Sequence, residues 1–403
     1  MSRPRQVVPL PVPAGSGALA LLSALERALR GDGPVVLPVP AAERSAAGRL
    51  VAALGGVLAQ DEDDPVDPTA LVIATSGSTG EPKGVLLPAR AIGASARATL
   101  DRLGGPGGWL LALPAWTVAG AQVLARSLVS GTEPRVMDTS AGFRPDGFAD
   151  AAEPLLARSG RHYTALVPTQ LARLVAAGGA GLEALCAFDA VLLGGAALAP
   201  ALRERAEAAG VRVVTTYGMS ETCGGCVYDG RPLDGVRVRL IDVDAGRAGR
   251  VVLGGAVVAR GYRGQPELTA RCFRAGSFHT GDLGRWRGDG RLEVLGRMDD
   301  LINTGGVKVA PVSVERALAA QPGVLEVCVV GLPDPEWGEA VAAAVVPADA
   351  AAPPSVPELR AAVRDRVGRA AAPRHVVFVP ELPLRGPGKV DRDAVRSILT
   401  STS

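Results

Sequence analysis

Residues 75–85 read Thr-Ser-Gly-Ser-Thr-Gly-Glu-Pro-Lys-Gly-Val, a combination of side chains that few loops carry. Thr75, Ser76, Ser78 and Thr79 supply four hydroxyls, Gly77 and Gly80 two turn positions, and Lys83 an ammonium, all within nine positions. Glycines let backbone N–H groups converge on an anion; hydroxyls donate to phosphoryl oxygens and lysine adds a point charge. The run follows an apolar, strand-like segment, 70–74, so it reads as a polyphosphate grip at a strand end. It is not a Walker A loop, because Gly84 and Val85 follow Lys83 where that motif needs a magnesium-binding Ser or Thr. A flexible Gly/Ser surface loop is the plainer alternative. Against it stand the apolar strand before the run and the Pro82-Lys83-Gly84 exit.

Other stretches carry chemistry less distinctly. Tyr217-Gly218-Met219-Ser220-Glu221-Thr222 follows a strand-like run, 211–215. A tyrosine there can stack on a purine, and a carboxylate beside phosphate can hold Mg²⁺; an ordinary turn with a surface Glu is equally simple. His279-Thr280-Gly281-Asp282 puts an acid in a tight turn, where it can accept from ribose hydroxyls or merely cap the turn. Lys389 ends a Gly/Pro loop, 385–390, and matters only if a mobile domain swings it onto phosphate. Gly194 and Gly195 allow a planar ligand close to the backbone, though such pairs also close plain strand–helix turns. Cys223 and Cys226 form one Cys-x-x-Cys without a second pair. They therefore read as small apolar pocket or core residues rather than a metal or redox site.

The elements that must position these residues follow from composition and periodicity. At 403 residues two domains are the natural expectation. The residues are 47% hydrophobic and only 3% aromatic, so the core is built from Ala, Val and Leu. A net charge of +2, from 43 basic and 41 acidic residues, gives no drive toward nucleic acid. Five cysteines in so long a chain suggest no disulfide framework. There is no run of about 18 apolar residues to span a membrane. The 20–27 stretch reads as an amphipathic helix rather than part of a signal peptide, so a soluble cytoplasmic protein is expected. Val-rich runs at 110–113, 163–167, 190–193 and 211–215 alternate with Ala-rich helical stretches, which predicts an α/β fold with largely parallel sheets. Strand-like runs at 236–241, 250–253 and 291–295 predict a β-rich subdomain. After a charged turn at 297–300 the texture changes to that of a small α+β domain. It has a helix at 311–318, strands at 324–331 and 340–346, a Pro-rich loop at 349–357, and Leu359, Val363 and Val367 on one helical face. The expected domains are 1–298 and 299–403.

Taken together and in this order, the motifs resemble the adenylate-forming superfamily of acyl-CoA ligases, peptide-synthetase adenylation domains and luciferases, over about residues 70–392. Runs at 163–170, 217–230 and 232–236 are most similar to the o-succinylbenzoate–CoA ligase family of menaquinone synthesis, in its short actinobacterial form. The resemblance implies a large N-terminal domain of stacked mixed sheets with helices, and a small mobile C-terminal lid. It implies AMP-forming activation of an aromatic keto or dicarboxylic acid by ATP with Mg²⁺, then transfer to coenzyme A.

Carried onto this sequence, the resemblance has Thr75, Ser76, Gly77, Ser78, Thr79 and Gly80, with Lys83, hold the β- and γ-phosphates. Gly195 and Ala196 line the adenine slot and Tyr217 stacks on the base. Ser220 touches the α-phosphate and Glu221 binds Mg²⁺. Asp282 and Arg297 fix the ribose, Asp299 is the hinge, and Lys389 supplies charge in the adenylating step. Gly305 and Gly306 let the thiol arm approach. Trp116, Thr117, Thr169, Gly194 and Gly225 are the candidate acyl-site residues. No nucleic-acid partner or membrane span is implied, and homo-oligomerisation is left open.

Two departures stand out. Thr117 occupies the place where the family has His after the aromatic Trp116. A neutral hydroxyl cannot become a cation for a second substrate carboxylate, so another aryl or keto acid is an alternative substrate. A carrier-protein thiol is an alternative acceptor. The stretch before the signature loop is also shorter than in most relatives.

Overall fold

A computed structural model describes residues 5–31, 33–76, 82–243, 247–385 and 389–402. The chain forms two compact units. One comprises Met1–Gly194, Ala206–Arg239 and Val252–Thr280; the other comprises Gly195–Arg205, Leu240–Val251 and Gly281–Ser403.

The first unit contains two sheets. Six strands run in the order Gly261–Tyr262, Pro82–Pro88, Thr69–Ser76, Val35–Pro40, Gln6–Val12, Gly56–Val57. Seven run in the order Arg231–Pro232, Gly224–Tyr228, Val213–Met219, Ala190–Leu193, His162–Leu166, Gly108–Leu111, Arg135–Val136. From Val213–Met219 to Arg135–Val136 every neighbouring pair is parallel, as the alternating pattern predicts. Parallel strands need cover on both faces. Ala190–Leu193 and His162–Leu166 are accordingly buried at every position.

Register in this sheet aligns the strand ends. Leu111 pairs with Ala165, Leu166 with Leu193, and Leu193 with Thr215. The segments after the first three strands begin with Ala112, Val167 and Gly194, so they leave the sheet along one carboxyl edge, where open α/β sheets bind ligands. Val213–Met219 runs on past this edge.

The expected β-rich stretch is present as Val236–Ile241, Ala248–Gly255, Ser277–Trp286 and Leu292–Arg297. In the second unit Val307–Val309, Ile302–Thr304, Gly338–Pro347 and Val324–Asp334 form a sheet, with His375–Phe378 parallel to Gly338–Pro347. Alternation divides its side chains between two faces. Val329, Val341, Ala343 and Val345 pack with Val314, Leu318, Leu359 and Val363 from helices Pro311–Ala319 and Val356–Arg366. Cys328, Val330, Ala342 and Ala344 pack with Val395 and Leu399 of helix Arg392–Thr402. Leu359 and Val363 thus share the buried face predicted for them. Val367 does not: the helix ends at Arg366, and Val367 is its C-cap, 36% exposed.

Candidate active site

The strands on either side of the signature loop pair with each other. Strand Thr69–Ser76 pairs antiparallel with Pro82–Pro88, placing Thr75 opposite Lys83 and Ser76 opposite Pro82. Gly77, Ser78, Thr79 and Gly80 lie outside the described residues, as does the Ser76 side chain. The Thr75 hydroxyl donates to the Lys83 carbonyl at 3.4 Å. Lys83 Nζ lies over the Tyr262 ring, 5.9 Å from its centroid. The Tyr262 hydroxyl donates to Glu221 Oε1 at 2.7 Å. Burial and the Glu221 charge raise the phenol above its ordinary range, so the proton stays on oxygen. Lys83, Tyr262 and Glu221 thus make one contact chain across three sequence-distant segments. Tyr262 was missed in the sequence reading. Its signal, an aromatic between Arg260-Gly261 and Arg263, gains meaning only from the pairing of Tyr262 with Val85.

Glu221 sits in the single turn Ser220–Thr222, where Ser220 is buried and the Thr222 hydroxyl donates to the Met219 and Gly224 carbonyls. Among the described residues Glu221 Oε2 has no hydrogen-bond partner, and no cluster of three acids, His or Cys could hold a metal without further ligands. One free carboxylate oxygen suits Mg²⁺, which is commonly held by one or two carboxylates together with substrate phosphates.

At the carboxyl edge, Tyr217 is half-buried and pairs with Val227. Gly194 and Gly225 both face Thr216. A Cβ on Gly194 would lie 2.6 Å from Thr216 Oγ1, and one on Gly225 would lie 2.9 Å from Thr216 Cβ. Packing therefore demands glycine at Gly225, while at Gly194 a side chain would require the Thr216 hydroxyl to turn away. Thr169 is half-buried in the first turn of helix Pro168–Ala177. Trp116 is half-buried, and Thr117 caps helix Val118–Ser130: its hydroxyl donates to the Pro114 carbonyl at 2.8 Å and accepts from Gly120 N at 3.3 Å.

Deeper on that helix, Gln122 and Arg126 stand one turn apart and are 1% and 4% exposed. Both ends of the Gln122 amide, and Arg126 Nε, have no partner among the described residues. Arg126 lies 5.1 Å from the Trp109 ring and 3.4 Å from the Tyr228 hydroxyl, and burial lowers its pKa. Sequence reading missed both residues, because an i, i+4 polar pair on a helix is ordinarily a solvated face.

In the second unit, Arg297 makes a fork to Asp299, with Nε–Oδ1 and Nη2–Oδ2 both 2.9 Å, and stands 3.8 Å from Asp282. This bidentate pairing raises the pKa of the guanidinium. The residues expected to hold the ribose and the residue expected as hinge are thus one cluster. Gly195 and Ala196 are exposed just after strand Ala190–Leu193. Gly305 and Gly306 turn the chain between Ile302–Thr304 and Val307–Val309, and Gly305 N–H donates to the Trp337 carbonyl at 2.9 Å. Lys389 is placed by its backbone, opposite Arg385 in a two-stranded sheet; its side chain lies outside the described residues.

A carboxylate and an ammonium on either side of one tyrosine suit a metal-bound polyphosphate, and sequence comparison agrees with a nucleotide-using class. Residues 22–263 match the family described as AMP-binding enzyme, and 313–389 match the AMP-binding enzyme C-terminal domain. The chain belongs to this adenylate-forming family of ATP-dependent acyl-CoA ligases. It is 47% identical over 388 residues to a Mycobacterium tuberculosis (strain CDC 1551 / Oshkosh) protein named "Probable 2-succinylbenzoate--CoA ligase", covering 96% of this chain and 97% of that one. It is 32% identical over 360 residues to the 2-succinylbenzoate–CoA ligase of Geobacillus kaustophilus (strain HTA426), covering 84% and 71% of the two chains. Among solved structures, the amide bond synthetase McbA from Marinactinospora thermotolerans superposes with a TM-score of 0.80 at 27% identity, over 98% of this chain and 90% of that one.

Proposed function

We propose that this chain activates 2-succinylbenzoate with ATP and transfers the acyl group to coenzyme A, releasing AMP and diphosphate, as a step of menaquinone synthesis in the cytoplasm. The observation that carries this substrate is the near-full-length match to the mycobacterial protein bearing that name. In the first half-reaction the substrate carboxylate attacks the α-phosphorus in line and diphosphate leaves. Charge spreads over the phosphoryl oxygens, so positioning and electrostatics are the main levers. When bound, Mg²⁺ supplies charge neutralisation at the phosphates; Glu221 Oε2 would hold it. Lys83 and the 75–80 loop grip the β- and γ-phosphates, Ser220 contacts the α-phosphate, and Tyr217 stacks on adenine beside Gly195 and Ala196. Asp282 and Arg297 hold the ribose. Lys389 adds charge at the α-phosphate. In the second half-reaction the 299–403 domain turns about Asp299, Lys389 withdraws, and Gly305 and Gly306 admit the thiol arm.

The acyl group lies along the carboxyl edge between Trp116, Thr169, Gly194 and Gly225. Thr117 holds its helix cap and carries no charge. Arg126, a buried guanidinium with no carboxylate near it among the described residues, supplies the cation a dicarboxylic acid needs. That supports a substrate with a second carboxylate over a simple aryl acid. ATP–diphosphate exchange across a panel of aromatic mono- and dicarboxylic acids tests the reading, followed by comparison of free coenzyme A with a carrier protein as acceptor. Exchange is expected with 2-succinylbenzoate above the others, and coenzyme A is expected to be thioesterified. Preference for another aryl or keto acid, or transfer to carrier protein alone, would replace it.

A further inference from the structure

One short segment connects the two charged groups of the phosphate site. Gly261–Tyr262 adds an edge strand to the Lys83 strand, pairing with Leu86 and Val85; Arg260 N donates to the Leu86 carbonyl and Arg263 N to the Gly84 carbonyl. The same segment grips Glu221 at both ends. Ala259 N donates to the Glu221 carbonyl at 2.9 Å, and the Tyr262 hydroxyl donates to its carboxylate at 2.7 Å.

The segment is itself braced. The Arg260 side chain donates to Thr69 Oγ1 and the Asp67 carbonyl. Arg263 forms an ion pair with the buried Glu62 and donates to the Gly55 and Val57 carbonyls at 2.9 Å. Thr269 Oγ1 accepts from Tyr262 N at 2.9 Å, and Phe273 packs edge-on against the Tyr262 ring at 5.3 Å. A two-residue strand with two arginine anchors is far more heavily tied down than sheet pairing requires. Its tied side chain is the one that touches both Lys83 and Glu221.

We propose that Tyr262 is the positioning residue of the phosphate site: its hydroxyl aims the Glu221 carboxylate, and its ring face holds the Lys83 ammonium in register with it. A carboxylate with one oxygen fixed by a donor presents the other in a single direction, so less rotational freedom is lost when it takes a ligand. A cation over an aromatic face is confined without losing its outward donors. This rests on the proposed roles of Glu221 and Lys83, and is independent of which acid is activated.

The test uses the full-length protein with ATP and Mg²⁺ and no acid. Tyr262→Phe removes only the hydroxyl and keeps the ring beneath Lys83. The half-saturating Mg²⁺ concentration for ATP-dependent thermal stabilisation is expected to rise about tenfold. Stabilisation at saturating Mg²⁺ and the Tm of the free protein should stay near wild type. Tyr262→Leu, which also removes the ring, is expected to weaken ATP binding at saturating Mg²⁺ as well. A Tyr262→Phe protein with an unchanged Mg²⁺ requirement overturns the proposal. So does one whose free Tm falls while its Mg²⁺ requirement stays put, since that is a packing role. Wild-type protein that ATP stabilises equally with and without Mg²⁺ overturns the Glu221 assignment, and the role of Tyr262 with it.

Discussion

Arg126→Met is expected to make the protein slightly more stable and much poorer with a dicarboxylic acid. In the free protein the guanidinium is 4% exposed and has the Trp109 ring and the Tyr228 hydroxyl as neighbours, with no carboxylate among the described residues. Burying an uncompensated ion costs several kcal/mol after relaxation. The cation–π contact returns about 2 kcal/mol, and one 3.4 Å hydrogen bond returns about 1 kcal/mol. Tyr228 keeps a partner when Arg126 is gone, because its hydroxyl also lies 2.9 Å from Thr99 Oγ1. Met has similar length and adapts to irregular space, so the balance favours the variant by about 1–2 kcal/mol, a rise in Tm of roughly 1–4 °C. Toward substrate the sign reverses. Removing one partner of a buried charge pair costs about 2–5 kcal/mol, which is roughly 30- to 5,000-fold in kcat/KM. The assay is ATP–diphosphate exchange with 2-succinylbenzoate and with 4-oxo-4-phenylbutanoate, the same molecule without its ring carboxylate. Only the diacid should lose activity. Equal losses on both acids, or a Tm drop of several degrees, would mark Arg126 as a structural residue with no part in binding the second carboxylate.

Lys389→Ala should cut adenylate formation by about two orders of magnitude or more while sparing thioesterification of supplied acyl-adenylate; equal loss in both assays removes its assigned role. Asp299→Pro should slow thioesterification more than adenylation if the chain turns there, and an unchanged thioesterification rate counts against the hinge. Gly261→Ala would put a Cβ 2.4 Å from Thr269 Cγ2, so a loss of about 1–3 kcal/mol is expected in denaturant unfolding. Thr269→Ser in the same chain deletes that methyl, keeps Oγ1, and should recover part of the loss. Burial pushes the Cys226 and Cys328 thiols up to about 12, and raises Cys223 further. In native protein at pH 8 only Cys186 and Cys272 should react with a thiol reagent, and rapid reaction of more than two contradicts the buried placement.

The strand before the signature loop, the alternating strands and the β-rich stretch were legible in the chain because each announces itself within a few residues; the return strand Pro82–Pro88 was not read. Apolar runs of strand length, glycines at turns and a lysine after them need no distant partner to be recognised. The expectation of Cys223 and Cys226 as core residues held for the same reason, as no second pair stood nearby. Val367 was misplaced because periodicity does not say where a helix stops, and its last turn ends at Arg366.

The inventory of chemistry, its order along the chain and the family that shares it are written in the residues themselves. Contact between residues far apart in sequence is not, and it came from the fold. Tyr262 meets Glu221 across 41 positions, and Arg263 meets Glu62 across 201. Gly225 must be glycine because Thr216 Cβ stands against it. Thr117 has its hydroxyl committed to a helix cap, while a guanidinium two turns further on is buried without a counter-charge among the described residues. Periodicity assigns a side chain to a face of its own element. Which neighbour covers that face, and whether a buried charge finds its partner there, depends on sheet register and packing that only the folded chain sets.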